Sequence, residues 1–205
     1  MRSRGMATTF FRYLLAHIAA LCFAATSGVI ATHAEQPFVT VDGDTKDVSW
    51  WELADFHPFT TEVRGLPVGQ IRKDWCKATE FRKDLIPKEF LFEYGADAMD
   101  AGKLSFAIEG NFDGTKTRQV ALVGVYQECN GQKGRFLLIL DLVANAQPKI
   151  RFVNAVPAAH QFTALRLQPN NVIAAWTCMN CDLVSRLKWD RKRRNFTWLP
   201  DAVDE

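Results

Sequence analysis

The chain has 205 residues, of which 48% are hydrophobic and 23% are charged. These proportions are typical of a folded globular protein and exclude a disordered or collagen-like chain. The formal net charge is +2, but subtracting the three arginines of the first 34 residues from the 25 basic residues leaves 22 against 23 acidic ones, a net charge of −1. The nearly neutral charge of residues 35–205 therefore argues against nucleic-acid binding.

The first 34 residues have the build of a secretory signal peptide. Three arginines and no acidic residue are combined with an apolar run from Tyr13 to about Ala25, and small residues follow up to Ala34. This order predicts cleavage after Ala34 and a single domain over residues 35–205, periplasmic or secreted and without a membrane span. An uncleaved anchor is the competing interpretation, because the run from Tyr13 to Ala31 approaches the ~20 residues that span a bilayer.

The segment that follows the leader is predicted to be partly helical. Ser49 and Glu52 fit a capping box, which predicts a helix that runs to about Phe56. A short helix is also predicted over Ala96–Ala101. Between these two, apolar residues recur at spacings of three and four, which predicts an amphipathic helix; they are Ile71, Trp75, Ala78, Phe81 and Leu85.

Residues 103–143 hold three strand-like runs that are separated by turns rich in Gly and Asn. In the first run the large apolar residues alternate, which places them on one face of a strand; they are Leu104, Phe106 and Ile108. The runs Val120–Tyr126 and Phe136–Val143 are almost continuously apolar, as expected for strands covered on both faces. The three runs predict an antiparallel meander at the centre of a mainly β (α+β) fold.

Strand signals return after Pro148, and turn residues separate them, which favours further antiparallel strands over βαβ units. The predicted strands are Lys149–Val153, Gln161–Leu167, Asn171–Thr177, Asp182–Trp189 and Phe196–Leu199. If residues 190–195 form the last loop, Trp189 lies opposite Phe196 and Leu187 lies opposite Trp198. Two large apolar pairs are therefore predicted on one face of the final hairpin.

One turn of the meander carries a resemblance to a known family. The stretch Gly110–Leu122 reads GNFDGTKTRQVAL and resembles the FG-GAP or VCBS-type repeat of integrin-like β-propellers, whose acidic loop often holds Ca²⁺. The resemblance implies a blade-like hairpin with Asp113 in that loop. The family's other acids correspond here to Asn111, Thr115 and Gln119. Because Ca²⁺ needs several oxygen ligands including carboxylates, these departures weaken the expectation of calcium, and no other metal site is predicted.

The cysteines carry the clearest chemical signal. Residues 35–205 contain Cys76, Cys129, Cys178 and Cys181, and an even number in an exported protein predicts disulfide bonds. Of the three connectivities, we favour Cys76 with Cys129 and Cys178 with Cys181, since the second pair is close in sequence at a predicted turn. Two alternatives for the C-x-x-C pair stay open, a thioredoxin-like redox pair and a structural metal site.

Catalytic patterns are sparse in residues 35–205. None of its three serines lies in G-x-S-x-G, and no phosphate loop, H-E-x-x-H or dinucleotide pattern is present. His57 and His160 lie beside proline-containing segments, where solvated loop histidines are expected. These observations favour a non-catalytic function, and no catalytic residue is predicted.

The final hairpin has a strongly basic tip. Arg191, Lys192, Arg193 and Arg194 follow one another, with Trp189 and Trp198 nearby. A charged tip can simply keep the edge of a sheet from pairing, or it can bind an anionic component of the cell envelope or an acidic protein. The sequence therefore predicts an exported binding or accessory module, such as an inhibitor or an envelope-complex component, and the alternative is a thiol-disulfide oxidoreductase that uses Cys178 and Cys181.

Overall fold

The computed structural model describes residues 37–46, 48–93, 96–157, 162–179 and 184–200. Over these residues the chain is mainly β with short helices, which confirms the predicted fold class. The expectations for the leader, His160 and Cys181 lie outside the described residues.

Most of the described strands are short, and three of them, β9, β10 and β11, have nine or ten residues. The strands are β1 Val39–Val41, β2 Ala54–Phe56, β3 Glu62–Val63, β4 Leu66–Pro67, β5 Trp75–Glu80, β6 Phe92–Glu93, β7 Ala96–Asp97, β8 Ala107–Gly110, β9 Gln119–Glu128, β10 Lys133–Asp141, β11 Lys149–Pro157, β12 Ala164–Gln168, β13 Val172–Trp176, β14 Val184–Asp190 and β15 Asn195–Trp198. The α-helices are α1 Trp50–Leu53, α2 Val68–Ile71, α3 Lys88–Leu91 and α4 Ala98–Ala101, and Lys83–Leu85 and Pro169–Asn171 form 3-10 turns.

The central sheet has the order β11-β10-β9-β5, with all neighbours antiparallel. One edge of β9 is covered by two strands, because β8 pairs with its first half and β5 with its second half. The predicted meander of three antiparallel strands is thereby confirmed as β8-β9-β10.

Both faces of β9 and β10 are buried, as their continuous apolar sequences predict. On one face Leu137 and Ile139 belong to a large cluster shared with the second sheet. On the other face Phe136 and Leu138 pack in a smaller cluster with residues of β3, β4 and α2. Trp75 closes that smaller cluster by stacking on Tyr126, with a ring distance of 4.3 Å.

The second sheet has the order β12-β13-β14-β15, again antiparallel. Its last hairpin has the predicted register, since Leu187 lies opposite Trp198 and Trp189 lies opposite Phe196. The rings of Trp189 and Phe196 are 5.0 Å apart, so the apolar cross-strand pair is in contact.

The two sheets meet along two edges. At one edge the backbones of Ser105 and Leu165 exchange two hydrogen bonds of 2.8 and 2.7 Å, and they connect the segment before β8 to β12. At the other edge Phe152 of β11 contacts Phe196 and Trp198 of β15, at ring distances of 5.9 and 6.4 Å. The larger apolar cluster lies between these two contacts.

The predicted amphipathic helix between Ile71 and Leu85 is wrong. Trp75 to Glu80 form strand β5, and the pairing register shifts between Trp75 and Lys77. A β-bulge adds one residue on that side of the ladder, so Trp75 and Ala78, three positions apart, enter the same apolar cluster. The bulge therefore gives a strand the spacing that is typical of a helix.

The helix predicted from Trp50 to Phe56 is also shorter than expected. It ends at Leu53, and the Ser49 side chain makes no capping hydrogen bond. Residues Ala54–Phe56 instead pair with β1, where alternation buries Phe56 and leaves Asp55 outside. The third predicted helix is present as α4, and Asp97 caps it by accepting hydrogen bonds from the amides of Met99 and Asp100.

Candidate binding surfaces

The tip of the β14–β15 hairpin is held by a carboxylate. Asp190 accepts hydrogen bonds from the backbone amides of Lys192 and Arg193 at 2.8 and 3.1 Å. The bond from the Arg193 amide has the largest effect on the pKa of Asp190. Together with the bond from Lys192 it lowers this pKa, although desolvation acts in the opposite direction, and the carboxylate is anionic at neutral pH. Arg194 completes the turn with a φ of 52°. The basic side chains of residues 191–194 are all exposed.

Three further basic residues lie on one face of the second sheet. Arg166 and Arg186 lie on either side of Ala174 in the strand register, so both project to the same face, and Lys188 follows two residues after Arg186. The guanidinium of Arg166 lies 4.5 Å above the ring of Trp176. We call Arg166, Arg186, Lys188 and the four tip residues the basic face.

The two tryptophans predicted to belong with the tip lie on the other side of the sheet. In a strand, neighbouring side chains point to opposite faces, and Trp189 is half-buried against Phe196 with the Arg151 guanidinium 5.1 Å above its ring. Trp198, with 38% exposure, lines a cleft between the two sheets. The structure therefore keeps the four basic tip residues together in one turn and places Trp189 and Trp198 on the face of the hairpin opposite Lys188.

The loop that resembles the FG-GAP repeat is built around Asp113, whose side chain is 1% exposed. Its Oδ1 accepts from the Thr115 amide at 2.9 Å, and its Oδ2 accepts from Gln119 Nε2 at 3.1 Å and from Arg151 Nη2 at 2.8 Å. Gln119 also donates to Asp141 Oδ1 at 2.8 Å. Burial opposes the ionisation of Asp113, but the bonds from Thr115 and Gln119 and the charge of Arg151 lower its pKa overall.

This geometry bears on the calcium expectation. Both oxygens of the Asp113 carboxylate already accept hydrogen bonds, and the guanidinium of Arg151 supplies the positive charge beside them. Within the described residues, no group of three or more His, Cys, Asp or Glu side chains is placed to hold a metal ion. Calcium binding by this loop would require Arg151 to move, and it stays a prediction to be tested.

The disulfide bond between Cys76 and Cys129 is present, in agreement with the favoured pairing. It connects the bulge of β5 to the residue directly after β9, and its two cysteines are 53 residues apart in the sequence. Cys178 is also disulfide-bonded, while its predicted pairing with Cys181 lies outside the described residues. Cys178 is 8% exposed and lies within the bend of residues 177–179 that follows β13.

His57 is not the solvated loop histidine that its neighbour Pro58 suggested. Its side chain is 15% exposed and lies between Thr40 Oγ1, 3.1 Å from Nε2, and Lys133 Nζ, 3.1 Å from Nδ1. Because an ammonium group only donates, Nδ1 is the acceptor, and Nε2 therefore donates to Thr40. Lys133 also bonds both carboxylate oxygens of Asp55 at 3.0 Å. Nothing in the sequence near His57 signals these partners, since Lys133 is 76 residues away.

The sequence reasoning missed the polar side chains that line the cleft between the sheets. Arg135 of β10 and Asn154 of β11 line this cleft opposite Ser185 of β14, and the cavity has a volume of about 340 Å³. The sequence offered only a partial signal, because Arg135 stands directly before the predicted strand Phe136–Val143 and lies two residues before Leu137.

Comparisons of the chain with protein-family models, with curated proteins and with solved structures gave no match. Among the described residues, no helix is both long and apolar enough to cross a membrane. A function must therefore be inferred from the surfaces of the chain itself.

Proposed function

We propose that the chain is an exported, non-catalytic binding or accessory module that recognises an anionic component of the cell envelope. The basic face carries this proposal. Its seven cationic side chains come from β12, β14 and the hairpin tip, and the strand register places those of Arg166, Arg186 and Lys188 on one face of the sheet. Clustered cations on one face attract anionic surfaces and speed their encounter with the protein.

The Asp190 carboxylate of the hairpin offsets only one of these seven positive charges. The Asp190 carboxylate is engaged by the amides of Lys192 and Arg193, and its distance to the Arg193 Nε is 3.7 Å. Exposed ion pairs contribute little energy and are screened by salt. Binding through the basic face is therefore expected to weaken steeply as salt rises, because the Debye length falls from about 10 Å at 0.1 M to about 3 Å at 1 M.

The test is retention on vesicles of phosphatidylcholine with and without phosphatidylglycerol at low salt. We expect the chain to bind only the anionic vesicles, and we expect replacement of residues 191–194 by serine to weaken that binding at least tenfold. The matched control removes four exposed charges elsewhere by replacing with serine the residues Lys73, Lys77, Lys88 and Lys149.

Equal losses in the two variants would mean that net charge alone governs retention, and unchanged retention of the tip variant would end the proposal. The tip would then serve only to keep the β15 edge of the sheet from pairing with other chains. Binding to an acidic protein but not to vesicles would place the anionic partner outside the lipid surface.

A redox function remains the alternative because Cys178, the first cysteine of the C-x-x-C pair, is disulfide-bonded. A catalytic disulfide must be reached by its substrate, and Cys178 is 8% exposed. Reduction of insulin disulfides by the protein with dithiothreitol, lost on Cys178→Ser, would favour the oxidoreductase. Insulin reduction no faster than with dithiothreitol alone would remove it.

A further inference from the structure

A groove lined by four aromatic rings is formed by residues of α1, α3 and β6. Trp50 and Trp51 come from α1, Phe90 from α3 and Phe92 from β6, and the space between them has a volume of about 390 Å³. We call these four side chains and the space that they enclose the aromatic groove. Its volume lies within the ~300–1,000 Å³ of small-molecule sites, which combine apolar walls with a few polar groups.

Contacts within the chain use only part of the aromatic surface. Trp50 stacks on Phe90, with a ring distance of 5.0 Å and an angle of 13° between the planes. Trp51 meets Trp50 in an edge contact at 6.0 Å. Phe92 has 50% exposure, and Trp51 is half-buried. The stack therefore fixes Trp50 and Phe90, while Trp51 and Phe92 keep ring surface open to solvent.

The charge of the lining has one sign. Among the described residues that line the groove, Glu89 is the charged one, and no lysine or arginine is present. The Glu89 side chain is exposed, and it makes no ion pair or hydrogen bond with the rest of the described chain. The other polar groups of the lining are the hydroxyls of Thr45 and Ser49. A ligand of this groove would therefore meet one uncompensated negative charge.

Aromatic rings and a carboxylate attract the same class of ligand. The face of an aromatic ring carries partial negative charge, so a cation above a Trp or Phe ring is attracted to it. A primary ammonium group has three N–H donors that need acceptors, and the groove offers few acceptors. A quaternary ammonium group has no N–H to satisfy and is the cation that clustered aromatic rings bind.

We propose that the aromatic groove binds a small soluble molecule through a quaternary ammonium group, which lies against Trp51 and Phe92 and is attracted by the Glu89 carboxylate. Ala98 and Met179, which also line the groove, supply an apolar wall for the rest of the ligand. This site goes beyond the proposed recognition of an anionic surface, because its ligand carries the opposite charge.

The test compares acetylcholine with 3,3-dimethylbutyl acetate, in which a carbon atom replaces the charged nitrogen and the shape is kept. Binding is followed by NMR, through the indole N–H of Trp51 and the methyl group of Met179. We expect acetylcholine to bind about tenfold more tightly than the neutral compound and to shift both signals in a saturable way. Equal affinity of the two compounds, shifts that map elsewhere, or no saturable shift up to about 10 mM acetylcholine would overturn the proposal.

Two variants test the site itself. Phe92→Leu removes an exposed ring, and Glu89→Gln removes the charge while keeping the shape. Both are expected to weaken acetylcholine binding, and Glu89→Gln is expected to leave the affinity for the neutral compound unchanged. The matched controls are Phe59→Leu, because Phe59 has 42% exposure, and Glu62→Gln, because Glu62 is exposed. Both of these residues line a different groove.

Unchanged acetylcholine binding in either Phe92→Leu or Glu89→Gln would overturn the proposal, as would equal losses in the controls. If one of the two variants fails to fold, the other decides by the same comparison with its control.

A lipid headgroup could present the same quaternary ammonium group, and vesicles of phosphatidylcholine distinguish the two sources. We expect no retention of the unmodified chain on these vesicles, together with saturable binding of acetylcholine. Retention that is lost in Phe92→Leu would overturn the soluble ligand and place the ammonium group in the lipid.

The aromatic groove and the basic face are expected to fail or succeed separately. The variant with serines at residues 191–194 should bind acetylcholine as the unmodified chain does, and Glu89→Gln should keep its retention on anionic vesicles. Loss of acetylcholine binding in the tip variant would contradict the groove.

Discussion

Arg151 donates to the buried carboxylate of Asp113 at 2.8 Å, and through this contact β11 fixes the turn before β9. The same guanidinium lies above the ring of Trp189 in the second sheet. One side chain therefore contacts a turn of the central sheet and a strand of the second sheet.

Replacing Asp113 with Asn is expected to lower the free energy of unfolding by about 1.5–3 kcal/mol, the range for hydrogen bonds to charged groups. The change removes the negative charge that Arg151 faces and reduces the acceptors of Gln119 and Thr115. Urea unfolding at pH 7 measures this loss in the free energy of unfolding. Asp44→Asn is the control, since the Asp44 side chain is 66% exposed. A similar small effect of both substitutions would contradict the importance of the Asp113 network.

Adding Ca²⁺ is expected to leave the melting temperature unchanged at neutral pH. The reason is that Arg151 and Gln119 already donate to Asp113 Oδ2, which a calcium ion would need as a ligand. Thermal unfolding with CaCl₂ and, separately, with EDTA tests this. A calcium-dependent rise that disappears in Asp113→Ala would instead support the calcium loop that the resemblance to FG-GAP repeats implies.

Gly124→Ala is expected to destabilise the protein by about 1–3 kcal/mol, as overpacking of a core does. A Cβ at this position would lie 2.3 Å from the carbonyl oxygen of Thr79 in β5 and 2.7 Å from the Phe136 ring. The matched control is Gly69→Ala, because a Cβ there meets nothing within 4 Å. Urea unfolding should separate the two variants, and equal stabilities would show that β5 does not approach β9 this closely.

Removing the disulfide through Cys76→Ala with Cys129→Ala is expected to cost roughly 4 kcal/mol in the chain-entropy model for its 53-residue separation. Chemical unfolding of the double variant and of the unmodified chain measures the difference. With dithiothreitol present the two stabilities should converge, because the reductant opens the same bond. A gap that persists under reduction would show that the alanines act by lost packing.

Lys133→Met is expected to raise the pKa of His57. Burial and then the charge of Lys133 lower this pKa below its usual 6.5, and Asp55 and Asp42 act in the opposite direction. Because the unfolded histidine takes up its proton first, stability should fall as pH drops below 6.5 and level off below the folded pKa. NMR titration of the imidazole checks the shift, with Lys192→Met as the control. An unchanged pKa in Lys133→Met would contradict the contact.

The strands could be predicted well because alternation and long apolar runs report directly on burial. The Leu187–Trp198 and Trp189–Phe196 pairs followed from one loop length, and the structure has both. The β5 strand could not be predicted, since its bulge reproduces the spacing of apolar residues that is typical of a helix. Ala54–Phe56 form a strand because they pair with β1, and this long-range pairing is not visible in the local sequence.

The candidate sites divide in a similar way. The basic tip is contiguous in sequence, and so it could be found by reading residues 191–194. The cleft could not be found in this way, because Arg135, Asn154 and Ser185 meet only through the packing of two sheets. The partners of His57 are equally distant, since Lys133 is 76 residues away in a stretch that the sequence predicts as a turn.

The outer edge of β9 depends on two segments that are far apart in the chain. Between β8 and β5, Val123 completes the edge by donating to Phe106 O at 3.1 Å and accepting from the Phe81 amide at 2.9 Å. If residues 75–80 detach, the second half of β9 offers an unpaired ladder, which is a template for a strand from another molecule. The Cys76–Cys129 bond holds those residues in place, so a reducing environment would expose the chain to domain swapping and fibre formation before the apolar core itself is lost.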